Sequence, residues 1–193
     1  AGKLSESDAK VLRLIINGDL RCGATATLFN KVWKDLIPKF ELMACQTLNE
    51  KTATKFKFPA YAQTKYDAAR CSIFVDGDEV KYYTRNGKTY QIENEYVRLR
   101  FIEAGRRYGK PAVFDGELYQ RKADGTPENR LVSNGIATKF IKGTASPDHH
   151  ENIGIAVWDV IPLADFNAGK CPIKYSKRFQ DLVDAIGNGT IIH

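Results

Sequence analysis

Apolar positions along this chain follow two rhythms, and the change near residue 60 predicts how it is organised. In "LSESDAKVLRLIING", Val11, Leu12, Ile15 and Ile16 fall at helical spacing, so a helix is expected there, capped by Ser5 or Ser7 and ended by Gly18. "CGATATLFNKVW" predicts a second helix with Leu28, Val32 and Trp33 on its buried side. Pro38 interrupts that pattern, and the lysine-rich "NEKTATKFK" reads as a polar loop, placing a boundary between about residues 36 and 57. From Ala60 the period falls to two, and strands are expected on either side of Asp76-Gly77-Asp78 and Asn86-Gly87, both hairpin-turn sequences. Ala69, Cys71, Ile73 and Val75 share one face of the first strand.

Helical spacing returns at about Asn94 to Tyr108, where Val97, Phe101 and Ile102 form the stripe. "PAVFDGELYQ" reads as a strand, "RKADGTPENR" as a polar excursion, and the nearly all-apolar "NIGIAVWDVIPL" as an interior strand. "KYSKRFQDLVDAIG" is an amphipathic helix through Phe179, Leu182, Val183 and Ile186, and "TIIH" begins another strand. These elements predict an α+β fold, mostly antiparallel sheet with helices packed outside it.

Composition changes that picture little. The chain has 193 residues, 43% hydrophobic and 27% charged, which suits one sizeable core with a small appendage. A net charge of +6 favours polyanionic partners without specifying one. Cys22, Cys45, Cys71 and Cys171 form no close pair, so reduced thiols are expected rather than a zinc site. The sequence shows no membrane-spanning run and no secretory leader, which predicts a cytoplasmic protein without a membrane partner.

Phosphate loops of the Walker type, dinucleotide-binding glycine patterns and nucleophile elbows are missing from the sequence. His149 and His150 follow Pro147-Asp148 in a loop and read as ordinary polar residues. What remains is a set of charges on the expected strands: Lys65, Asp67 and Arg70 on the first, Arg85 on the next, and Asp115 and Glu117 about Gly116 on a third. A deprotonated lysine amine is a nucleophile, arginines grip phosphate oxygens bidentately, and carboxylates hold ribose hydroxyls or magnesium. Together they fit nucleotidyl transfer.

Lys65-Tyr66-Asp67-Ala68-Ala69-Arg70 resembles the K-x-D-G-x-R motif of the covalent nucleotidyltransferases, which comprise DNA ligases, RNA ligases and mRNA capping enzymes. Asp115-Gly116-Glu117-Leu118, the arginine-bearing Thr84-Arg85-Asn86-Gly87 and "VWDVIPL" resemble further motifs of that superfamily. "SNGIATKFIKGT", "GDLRCGAT" and "NKVWKDLIPKF" are similar to segments of the ATP-dependent DNA ligases of T-even bacteriophages. The resemblance implies an adenylyltransferase (ATP-grasp-like) domain that uses ATP and Mg2+ to seal nicks in double-stranded DNA during replication, repair and recombination, in the host cytoplasm if viral. In such a ligase Lys65 would carry AMP, supported by Asp67. Gln63 and Trp158 would hold the adenine, and Thr64, Arg70, Arg85, Glu117 and Arg178 would complete the nucleotide site. Glu117 would also reach the metal, directly or through water, and Lys139 and Lys142 would hold duplex phosphates.

Two departures accompany the likeness. The motif glycine is Ala68, and the family's later E-G-x-x-x-K and K-x-K motifs and OB-fold domain find no counterpart here. The expectation is therefore a partial ligase. Residues 1–57 would be the last helices of a DNA-binding domain plus linker, and 58–193 the first part of the adenylation domain, with the remainder of the ligase as a possible partner. An RNA ligase and a non-catalytic nucleic-acid-binding remnant are the alternatives.

Overall fold

The computed structural model describes residues 4–16, 23–34, 36–37, 40–44, 46–187 and 191–192. It divides into two compact units, residues 1–39 and 40–193.

The first unit contains α1 (Glu6–Ile16) and α2 (Ala26–Val32). Ser5 caps α1: its Oγ accepts from the Asp8 amide at 3.1 Å and donates to the Asp8 carboxylate at 2.7 Å. The expected stop at Gly18 and the break at Pro38 lie outside the described residues. From within α2 the Asn30 side chain bonds both backbone groups of Ile37 at 2.8 Å. Leu28, Val32 and Trp33, expected to be buried, are exposed, and α2 buries no residue. Among the described residues of this unit, a seven-residue helix with one short neighbour has no second layer to cover its apolar side.

Residues 40–57, read as linker from the sequence, cluster with the second unit. That unit continues through α3 (Glu50–Ala53) and an extended segment into β1 (Ala69–Asp76), β2 (Glu79–Thr84), β3 (Thr89–Tyr90), α4 (Glu95–Tyr108), β4 (Ala112–Gln120), α5 (Arg130–Lys142), α6 (Pro147–Glu151), β5 (Ile153–Pro162), α7 (Leu163–Asn167), α8 (Tyr175–Ile186) and β6 (Ile191–Ile192). The strands form one sheet in the order β3-β2-β1-β4-β5-β6, with every pair antiparallel. The α+β expectation holds. Gly77 and Gly87 make the two tight turns at φ +57° and +76°, a region closed to most side chains. Asn94 caps α4 by accepting from the Val97 amide.

Alternation then sorts the strands into two faces. Cys71, Ile73, Phe114, Leu118, Ile155 and Val157 form the core face, covered by Val97 and Phe101 of α4, Phe140 of α5 and Leu182 of α8. β5 is an interior strand, as its apolar run predicts. The other face carries Arg70, Ser72 and Phe74 on β1, Asp115 and Glu117 on β4, and Asp159 on β5. At one end Phe74 closes it, packing edge-on against Tyr83 and Phe166 with ring centroids 4.8 Å apart in both pairs.

Two expected strand positions are corrected. β1 begins at Ala69, so Lys65 and Asp67 sit on the extended segment before it, and Arg85 lies in the turn just past β2. The period-two pattern starts at Ala60, yet a strand needs a ladder partner, and the ladder to β4 begins only at Ala69 opposite Leu118.

Candidate active site

The polar face of the sheet brings Arg70, Asp115, Glu117 and Trp158 together through strand register. Arg70 on β1 stands directly opposite Glu117 on β4, and Ser72 opposite Asp115. Across the next seam Asp115 pairs with Asp159 while Gly116 pairs with Val157, so Trp158 is the extra residue of a β-bulge. The bulge turns Trp158 out of the core alternation toward Arg70, whose guanidinium lies 5.1 Å from the indole centroid. Gly116 is required here for contact reasons, because a Cβ at that position would lie 2.3 Å from the Ala156 carbonyl oxygen.

Arg70 is held in place before any ligand is considered. Its Nε donates to Asp115 at 2.6 Å, Nη2 donates to the other Asp115 oxygen, and Nη2 also reaches the Met43 carbonyl at 3.2 Å. Nη1 has no partner among the described residues, which leaves one donor edge for an anion. Burial pushes the Asp115 carboxyl above its usual range while the Arg70 ion pair pulls it back.

Glu117 is the electrostatic anomaly of the site. Its Oε2 is buried and unpaired among the described residues. Desolvation raises its pKa to about 7, against the pull of the Arg70 and Lys65 charges and with further upward pressure from Asp115 and Asp67. Lys65 is exposed on the segment before β1, with Thr64 exposed beside it. No cluster of three or more His, Cys, Asp or Glu side chains among the described residues is placed to hold a metal alone. A lone unpaired carboxylate still suits an ion that takes its other ligands from phosphate and water.

The remaining candidates are placed as follows. Gln63 is exposed, its Nε2 3.5 Å from the Trp158 carbonyl oxygen. Asp67 pairs with Arg130 at the start of α5 at 3.1 Å, both side chains open to solvent, so the pair contributes little stability. Arg85 is exposed in its turn. Arg178 is committed to Asp159, donating from Nε at 2.9 Å and from Nη2 at 2.9 Å, with Nη1 on the Ile173 carbonyl at 2.6 Å. Lys139 and Lys142 lie on the exposed side of α5, Lys139 3.4 Å from His149. His150 accepts from the Glu93 amide.

Beside this cluster lies a cavity of about 310 Å³ lined by Ser72, Asp115, Asp159, Phe166, Lys170 and Arg178, among others. Lys65, Glu117 and Trp158 do not line it, so it adjoins the lysine site through Asp115 without being that site. The sequence reading missed the pairing of Asp115 with Arg70, the role of Asp159 and the Tyr175 hydroxyl that donates to the Trp158 carbonyl at 3.0 Å. Asp159 had a signal in the aromatic-Asp strand, whereas Tyr175 had none. Cys71 and Cys171 are free thiols, and no described helix is long and apolar enough to cross a membrane.

Comparison with known proteins gives a consistent neighbourhood. The profile of the family described as "ATP dependent DNA ligase domain" matches residues 42–192. The DNA ligase of Enterobacteria phage T4 is 34% identical over 210 aligned residues, covering 92% of this chain and 43% of the phage protein. The DNA ligase of Enterobacteria phage T6 matches to the same extent, so the chain spans less than half the length of these relatives. The solved structure titled "Pmar-Lig_Pre." shares the fold at TM-score 0.52 and 21% identity, over 87% of this chain and 37% of that one.

Proposed function

This chain belongs to the ATP-dependent DNA ligase family, and from that premise we propose that its polar sheet face binds ATP and transfers AMP to Lys65 as the first step of nick sealing in duplex DNA. The observation that carries the reading is the unpaired, half-buried Glu117 carboxylate set opposite Arg70, with Lys65 within its electrostatic reach. Tyr82 and Gln120 also carry a buried unpaired oxygen among the described residues, but Glu117 alone of the three is an ionisable carboxylate set beside Arg70 and Lys65, the kind of group that a ligand site perturbs.

In this reading the Lys65 amine, once deprotonated, attacks the α-phosphorus of ATP. A P–N bond forms and the bond to pyrophosphate breaks. Arg70 offers its free edge to phosphate oxygens and Glu117 accepts from the ribose. Trp158 lies along the adenine, and Gln63 bonds its edge. AMP then passes to the 5′-phosphate at the nick, and the 3′-hydroxyl displaces it. Mg2+, when bound with the nucleotide, would neutralise charge developing on the phosphates, held by Glu117 and phosphate oxygens. Asp67 would support the Lys65 segment through Arg130. Residues 1–57 would serve as the end of a DNA-binding region. Lys139 and Lys142 would face duplex phosphates, Arg85 would hold the AMP phosphate or ribose and then the nick 5′-phosphate, while Arg178, already paired, would act on the site through Asp159.

Incubation with α-labelled ATP and magnesium tests this directly. Label should appear on the protein and vanish in Lys65→Ala. An unlabelled wild-type chain that still binds DNA would instead favour a non-catalytic remnant.

A further inference from the structure

Gly154 on β5 is a glycine for reasons of contact. Its backbone is ordinary strand with no positive φ, but a Cβ there would lie 2.5 Å from Cε2 of Tyr119 and 2.6 Å from the Tyr119 hydroxyl oxygen. Tyr119 stands directly opposite on β4, and its ring is laid across the bare backbone of Gly154. An aromatic ring over a strand glycine covers main chain that would otherwise go unpacked. Tyr119 follows Asp115 and Glu117 on the same face of β4, and at 6% exposure it is the buried end of that row.

On its other side the register carries Tyr119 to the Lys65 segment. The β1–β4 ladder closes at Ala69 opposite Leu118, so the next step sets Ala68 opposite Tyr119, about 5 Å away by the usual spacing of facing strand residues. Ala68 is half-buried at the bend where the Lys65 segment enters β1. Tyr119 is therefore flanked by alanine on one side and glycine on the other, and it leans to the glycine, where no Cβ stands in its way. We propose that Tyr119 is a positioning residue for Lys65: with its ring laid on Gly154 it leaves room for the Ala68 methyl and so fixes where the lysine segment enters the sheet. This rests on the lysyl–AMP reading above, and it accounts for an alanine in the place of the motif glycine. A Cβ at residue 154 would turn the ring back toward Ala68 and shift the segment that carries the amine.

The test is a double-mutant cycle on the whole chain, Gly154→Ala with Ala68→Gly, read by the single-turnover rate of α-labelled AMP transfer at saturating ATP with magnesium. Gly154→Ala should lower the rate about ten- to hundredfold, because a shift of about 1 Å is enough to misplace a nucleophile. Its ATP affinity by calorimetry should stay within about twofold of wild type, as expected when positioning rather than binding is lost. Ala68→Gly returns the room the ring needs, and should raise the rate of Gly154→Ala about fivefold or more beyond any gain it gives in wild type. An unchanged rate in Gly154→Ala, or an equal gain from Ala68→Gly in both backgrounds, overturns the proposal. So does a fall in ATP affinity that matches the fall in rate, since that marks a damaged pocket. Should circular dichroism show that Gly154→Ala does not fold, the double variant decides: a folded double variant supports the proposal, and an unfolded one overturns it. Wild-type protein that takes no label overturns the lysyl–AMP reading itself, and with it this proposal, before any variant is compared.

Discussion

A carboxylate with a buried, unpaired oxygen is costly to ionise, and Glu117 shows the cost as a pKa lifted from its ordinary 4.5 to about 7. The folded chain therefore keeps a proton that the unfolded chain releases above about pH 4.5. For this group stability is greatest below pH 4.5 and falls as pH rises through about 7. At full strength the shift corresponds to about 3 kcal/mol, which partial exposure to solvent reduces to about 1–2. Glu117→Gln is expected to stabilise the fold by that reduced amount at pH 8 and by nearly nothing at pH 4, measured by urea unfolding. An equal gain at both pH values would mean that charge burial is not the cause. The same variant should lose ATP binding, because the amide no longer accepts at both positions. A residue that weakens the fold to serve a ligand is expected to behave in this divided way.

Between elements, the bulge and the ion pair beside it set the geometry of the site. Gly116→Ala would drive a methyl group into the Ala156 carbonyl, and a backbone atom inside a sheet has nowhere to go. The expected cost is about 2–3 kcal/mol in chemical denaturation, with a changed near-ultraviolet signal from Trp158. Arg178 and Asp159 join α8 to β5 with side-chain exposures of 11% and 4%. Arg178→Met should strand Asp159 and cost about 3–5 kcal/mol, while pairing it with Asp159→Leu should recover most of that loss. If Arg178 instead held nucleotide directly, the single variant would lose ATP affinity at unchanged stability. The sequence made part of this legible. Asp115-Gly116-Glu117 marked the strand, and alternation put Cys71, Ile73 and Val75 on one face, which is the buried one. It did not reveal the one-residue slip at Trp158, because a bulge arises from pairing between strands distant in the chain. Nor did it show that Lys65 precedes its strand, since periodicity continues where the ladder does not.

At the scale of the whole chain the two units differ in what they bury. Residues 40–193 contain the described core, built on Phe101, Phe114, Phe140 and Leu182. In residues 1–39 the apolar stripe of α1, Val11, Leu12 and Ile15, is exposed, as are Leu28, Val32 and Trp33 of the second helix and its end. Helical periodicity located both helices, but a stripe only indicates which side can be buried, not whether a partner layer exists. Helices of 11 and 7 residues without tertiary cover are marginal in water, because ordering their backbones is not offset by burial. A peptide of residues 1–39 should therefore be mostly coil by far-ultraviolet circular dichroism. Residues 40–193 alone should unfold cooperatively within about 3 °C of the whole chain, since that unit holds the described core by itself. A fall of about 10 °C or more in that fragment would show that the first unit stabilises the sheet after all, at roughly 3 kcal/mol or more for a domain of this size. In that case its exposed leucines and Trp33 would be the first residues to change.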